Sequence, residues 1–254
     1  MAASRRLDFA GASGARLAAA LEEPAGPPRG HALFAHCFTC TKDVYAARHV
    51  ARSLAAAGVA VLRFDFTGLG ESEGDFASSN FSSNIADLRA AAEYMAAELG
   101  GPQLMVGHSL GGAATLAAAA TLPQVRAVCT IGAPADPAHV EHLFTERSAE
   151  IKAKGEAEVL LAGRPFTIQR QFIEDLAASP ILATVATMGK PLLICHAPED
   201  ATVELDNARR LYEAARHPKS FLCLDGADHL LTRKKDAEYA GAVIAAWAGP
   251  HLGE

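Results

Sequence analysis

Six short apolar runs, separated by segments of helical periodicity, constrain the fold of this chain more than any other feature. They occupy residues 31–35, 59–64, 103–106, 125–131, 191–195 and 220–224. A strand with one face in water alternates apolar and polar residues, whereas these are apolar almost throughout, the pattern of strands buried on both faces. Between them Ala47, Val50, Ala51 and Leu54 fall on one helical face closed by Gly58, and Ile85, Leu88, Ala92 and Leu99 fall on another closed by Gly100. Strand-helix alternation of this kind predicts an α/β chain with a mostly parallel, doubly wound sheet, whose ligands bind at the carboxyl ends of the strands. Residues 6–10 and 16–21, alternating about Gly11-Ala12-Ser13-Gly14, predict an antiparallel hairpin at the sheet edge.

The alternation breaks once, over residues 135–190, too long a stretch for an ordinary connection. Residues 158–161 and 165–168 flank Ala162-Gly163-Arg164 as a small hairpin would, and residues 141–153 and 169–176 carry helical patterns. The expected organisation is one core built from residues 1–134 and 191–254, with residues 135–190 inserted as a lid over the carboxyl edge. The lid's apolar residues include Leu143, Phe144, Leu160, Phe166 and Phe172, some of them lid core and some lining an acyl pocket; Phe166 and Phe172 are the expected substrate-binding pair.

With a net charge of -6 and no long basic run, the chain does not suit a nucleic-acid partner. Arg5-Arg6 is followed by no uninterrupted apolar stretch, and the apolar residues 17–21 are too few to cross a bilayer, so neither a signal peptide nor a membrane partner is expected. Of the five cysteines, Cys129, Cys195 and Cys223 lie in apolar runs, which predicts reduced core thiols in a cytoplasmic protein rather than a disulfide framework. Cys37 and Cys40 form a C-x-x-C, but no further ligands at metal spacing and no thioredoxin-like unit accompany it, so neither a metal nor a redox cofactor is expected.

Ser109 stands in Gly107-His108-Ser109-Leu110-Gly111, directly between the run ending at Val106 and a helix-forming stretch. A nucleophilic serine needs this setting: a tight, exposed turn with a helix N-terminus beneath it and small neighbours that let the backbone bend. It also needs a base, and the base needs a carboxylate. Asp200 follows the run ending at Cys195 and His229 follows the run ending at Leu224, so both fall on the same sheet edge as Ser109. Glu199 is the alternative acid, and a helix N-cap is the alternative role for Asp200. His36 and His108 flank functional turns and suit hydrogen bonds to backbone, while His251 lies near the end of the chain. An oxyanion would need two N–H donors, one from Leu110, after the serine, and one from the loop after residues 31–35, where Phe38 is the candidate.

At these residues the chain resembles the α/β-hydrolase superfamily over nearly its whole length. The segment Arg63-Phe64-Asp65-Phe66-Thr67-Gly68-Leu69-Gly70-Glu71-Ser72 resembles the motif after an early strand, and residues 107–112, 200–203 and 226–229 resemble the three catalytic turns. The chain is most similar to the hydrolase half of bacterial proteins fused to an OsmC-type domain, and its insertion resembles that of feruloyl and cinnamoyl esterases. The resemblance implies an α/β-hydrolase fold with an inserted lid and assigns Ser109 as nucleophile, Asp200 as acid, His229 as base, and Phe38 and Leu110 as oxyanion donors. It implies a cytoplasmic, cofactor-free serine esterase acting on a small-molecule ester with a short to medium or aromatic acyl group, and an OsmC-type domain as candidate partner. Family members often carry glycine at the position of Cys37 and near that of Cys40, a departure here. A serine at position 109 argues against a dehalogenase, for which aspartate would be expected there. An aminopeptidase-like serine peptidase and an idle module docking to a redox domain are the alternative functions.

Overall fold

The computed structural model describes residues 3–252. The edge hairpin pairs β1 (Ala3–Ala10) with β2 (Arg16–Glu23). The chain then alternates through β3 (Gly30–Ala35), α1 (Tyr45–Ala56), β4 (Val59–Phe64), α2 (Phe81–Glu98), β5 (Leu104–His108), α3 (Leu110–Ala119) and β6 (Ala127–Ile131). After the insertion come β9 (Leu192–His196), α7 (Asp206–Ala214), β10 (Lys219–Cys223) and α8 (Lys234–Ala248). The eight strands form one sheet in the order β1-β2-β4-β3-β5-β6-β9-β10, parallel from β4 onward and antiparallel where β2 meets β1 and β4. This is the mostly parallel, doubly wound sheet that the strand pattern predicts, and the arrangement that the resemblance to α/β-hydrolases implies.

Helices α1 and α8 cover one face of the sheet, where Val50, Leu54, Val61, Val106 and Ile244 are buried together. Helices α2, α3 and α7 cover the other. Residues 220–224 differ from expectation: β10 is the last strand of the sheet, paired only with β9, and both Phe221 and Cys223 are exposed. An apolar run does not by itself tell an edge strand from a central one.

The insertion opens with a 3-10 segment, Pro137–Phe144, capped by the Asp136 carboxylate, which accepts from Ala138 N–H at 3.0 Å. It continues as α4 (Thr145–Lys154), the hairpin β7 (Glu156–Leu161) and β8 (Arg164–Gln169), α5 (Arg170–Ala177) and α6 (Ile181–Met188). α6 packs on α3 and α7, beneath the sheet rather than over its edge. The remaining elements do not form a separate core. Ile151, Val159, Leu161, Ile168, Phe172 and Leu176 are buried in one apolar cluster with α2 and α3.

Candidate active site

Strand β5 ends in a turn where Ser109 has φ 56° and ψ −128°, left-handed backbone that a serine adopts only when its surroundings impose it. The imposition is visible. Ser109 N–H donates to Ile131 O at 2.8 Å, and the next residues enter α3 at once. At Gly107 an added Cβ would lie 2.5 Å from both Gly111 O and Thr115 Oγ1, so only glycine lets helix and strand approach this closely.

The three sequence-predicted polar residues meet at the carboxyl edge. His229, on the loop after β10, lies with Nε2 3.0 Å from Ser109 Oγ and Nδ1 2.7 Å from Asp200 Oδ2. A carboxylate only accepts, so Nδ1 carries the hydrogen, and Nε2 is left to accept the serine proton. Asp200 Oδ1 takes the N–H groups of Thr202 and Val203 at 2.9 and 2.8 Å, so the carboxylate is held by its own loop as well as by the imidazole. Burial works to raise its carboxyl pKa, but the His229 hydrogen bond and the Val203 N–H outweigh burial and hold it below the ordinary value. Glu199 makes no such contact.

Three further residues brace this chain: Gly132 and His196, which the sequence reading did not single out, and His108, which it expected to bond to backbone. Gly132, at φ +56°, faces the acid-base pair so closely that a Cβ would lie 3.2 Å from both Asp200 Oδ2 and His229 Nδ1. His108 Nε2–H donates to His229 O at 2.7 Å, and His196 Nε2–H donates to Val203 O at 2.7 Å, fixing the base loop and the acid loop respectively. Burial, reinforced by His229, pushes His108 down to about 3, and burial lowers His196 too, so both are neutral donors. His36 likewise bonds to backbone, donating from Nδ1 to Cys37 O at 2.8 Å. Polarity inside an otherwise apolar strand end, as at His108 and His196, is the sequence signal for such groups.

Leu110 is the first residue of α3, so its N–H is one of the helix's orphan donors. Phe38 N–H has no hydrogen-bond partner among the described residues. The loop carrying Phe38 holds a correction. Cys37 and Cys40 form a disulfide, their Cα atoms 5.3 Å apart across a turn closed by Cys40 N–H to Cys37 O at 3.1 Å. The expectation of reduced thiols throughout fails because two cysteines three residues apart across a turn lie within bridging distance, whatever the other three do. Cys129 and Cys195 are free and buried, as expected of core thiols. The disulfide removes the basis for reading a cytoplasmic setting from the cysteines. Among the described residues no helix is long and apolar enough to cross a membrane, and no group of three or more His, Cys, Asp and Glu side chains could hold a metal ion.

A cavity of about 320 Å³ opens beside Ser109 and His229, walled largely by apolar side chains that include Phe38, Val140, Leu143, Leu160 and Leu230. Phe166 and Phe172, the expected pocket residues, do not line it. Phe172 is buried and stacks on Phe38 at 5.3 Å between centroids, and Phe166 meets Phe76 edge-on at 4.9 Å, so both lie behind the pocket wall. Among the insertion residues that line the cavity, Leu143 and Leu160 are 41% and 72% exposed, surface that the fold leaves uncovered beside the site.

A mostly parallel, doubly wound sheet carrying a hydrogen-bonded serine, aspartate and histidine on the carboxyl-edge loops after β5, β9 and β10 defines a hydrolase architecture. The chain belongs to the alpha/beta hydrolase family, whose model matches residues 32–246. It is similar to the esterase domain of a Rhodothermus marinus protein, at 46% identity and a TM-score of 0.81, the likeness covering 99% of this chain and 100% of that one. It is similar also to mouse mitochondrial palmitoyl-protein thioesterase ABHD10, at 28% identity over 186 residues, or 70% of this chain and 62% of that protein. The chain thus spans less than two thirds of that curated relative. Est1E of Butyrivibrio proteoclasticus, solved with ferulic acid bound, shares the fold at a TM-score of 0.78, with 21% identity and coverage of 96% and 98%.

Proposed function

We propose that the protein hydrolyses carboxylic esters through an acyl-enzyme on Ser109. The observation that carries this reading is the continuous chain from Ser109 Oγ to His229 Nε2 at 3.0 Å and from His229 Nδ1 to Asp200 at 2.7 Å. In this mechanism the Ser109 oxygen attacks the ester carbonyl as its proton passes to His229 Nε2. Asp200 holds the ring in the right tautomer and stabilises the imidazolium. The N–H groups of Phe38 and Leu110 receive the developing oxyanion, and His229 returns the proton to the departing alkoxide. Water, deprotonated by His229, then attacks the acyl-serine and releases the acid. The esterase domain similar at 46% identity supports an ester as substrate.

The cavity, at the small end of the usual ~300–1,000 Å³ range for ligand sites, favours short to medium or aromatic acyl groups. Ser109→Ala or His229→Ala should lower ester-hydrolysis kcat by about 10⁴ or more with the fold intact, and a fluorophosphonate should label Ser109 in the wild type alone. Near-normal turnover by folded Ser109→Ala protein would remove the mechanism. A series of acyl esters of graded length, with aromatic acyl esters beside them, tests the acyl preference; unchanged kcat/KM out to long chains would refute it.

A further inference from the structure

Resting on the esterase reading, we propose that the insertion completes the oxyanion site: Arg164, on its hairpin, is a positioning residue that holds the Thr39 carbonyl and so fixes the loop that presents the Phe38 N–H. The hairpin turns through two residues of positive φ, Ala162 at 49° and Gly163 at 76°, so Arg164 is fixed as the first residue of β8, paired with Leu161. From there Arg164 Nη2 donates to Thr39 O, across 125 residues of sequence. Thr39 has φ 56°, a strained state for a β-branched residue that persists only when its neighbours over-determine it.

Those neighbours come mostly from the lid and from the loop itself. The Thr39 hydroxyl donates to Phe38 O at 2.7 Å, and the Cys37–Cys40 disulfide closes the loop around both residues. The Phe38 ring stacks on Phe172 of α5 and lies 6.0 Å from Phe76, which Phe166 of β8 packs against. The Arg164 guanidinium sits over that same Phe166 ring, 5.3 Å from its centroid. One side chain therefore ties the insertion's aromatic cluster to the carbonyl of Thr39. Thr39 O belongs to the Thr39–Cys40 peptide and the Phe38 N–H to the Cys37–Phe38 peptide, so the brace reaches the donor through the peptide between them, whose carbonyl takes the Thr39 hydroxyl and whose flanking cysteines the disulfide ties together. The lid in this protein is a mount for the catalytic loop as well as a cover for it.

Arg164 also lines the cavity, so direct substrate binding is the competing role. The experiment compares wild type, Arg164→Met and Arg164→Lys on neutral acyl esters, and measures the affinity of each for a trifluoromethyl ketone, whose hemiketal places an oxyanion at the site. The brace predicts that Arg164→Met lowers kcat by about ten- to a hundredfold, a part of what losing an oxyanion donor costs, with KM changed by less than about threefold. Ketone affinity should fall in proportion to kcat/KM, and lysine, which keeps a cationic donor, should restore part of both. Amide exchange at residues 38–40 should quicken in Arg164→Met while exchange in β5 and α3 stays unchanged. A loss confined to KM, or unaltered kcat and loop exchange in Arg164→Met, would overturn the proposal. Wild-type protein that turns over no ester would sink the esterase reading instead, and loop exchange would still decide whether Arg164 braces the loop.

Discussion

His108, one position before the serine, shows how a buried side chain can serve the site through its neutrality. Its Nε2–H holds the His229 carbonyl at 2.7 Å, and burial with the nearby His229 brings it down to about 3. The unfolded chain binds this proton near the ordinary histidine value of about 6.5 and the folded protein does not, so between those limits stability falls as pH falls. For His108 alone the loss from pH 7 to pH 5 is about 2 kcal/mol. His36 and His196, also lowered by burial, add to it with the same sign. His108→Gln keeps an N–H donor and removes the titration, so its melting temperature should fall less between pH 7 and pH 5 than that of the wild type. Parallel pH profiles for the two proteins would show that His108 takes up its proton in the folded state and has no such role.

At the scale of elements, the loop after β3 is where covalent and packing restraints converge. A disulfide across four residues restricts the unfolded chain by about 2 kcal/mol on the loop-entropy account, so its effect on the loop's conformation should exceed its effect on stability. Cys37→Ser/Cys40→Ser, or wild type treated with a dithiol that becomes a cyclic disulfide as the protein gains two thiols, should lose about three- to tenfold in kcat. Reoxidation should restore the treated enzyme. Equal kcat in the open and closed forms would mean that the aromatic cluster and Arg164 hold the loop unaided. This element also marks where the sequence stops being legible. Ser109, Asp200 and His229 could be placed because each directly follows an apolar run, and strand ends fix position on a sheet edge. The lid offered no such anchor: an aromatic residue in an insertion reads alike as pocket wall or as packing, and Phe166 and Phe172 prove to be packing. The C-x-x-C carried its signal in plain view, since residues i and i+3 of a turn are close enough to bridge. What concealed it was an argument drawn from the three cysteines in strands.

Across the whole molecule, a buried ionic chain links the antiparallel edge of the sheet to the site. Arg63, 2% exposed in β4, donates from Nη2 to Glu22 of β2 at 2.6 Å and from Nη1 to Lys42 O. Lys42 in turn binds Asp65 and Glu71 through Nζ at 2.8 and 2.5 Å, and its own N–H reaches Asp65 Oδ1 at 2.5 Å. Lys42 lies two residues beyond the Cys40 end of the disulfide loop, so these ion pairs anchor that loop to the sheet. Two charges buried together repay their desolvation only while both are present. Arg63→Met, which strands Glu22, should therefore cost about 3–5 kcal/mol, whereas Arg63→Met/Glu22→Leu should recover most of that loss, since an apolar pair of similar volume is often neutral. Recovery of activity should lag behind recovery of stability, because Lys42 O still lacks its guanidinium donor in the double variant. Chemical denaturation and ester turnover of the two variants separate these effects. If kcat returned fully with stability, the link from the sheet edge to the catalytic loop would be one of folding alone, and the lid would be left as the loop's principal restraint.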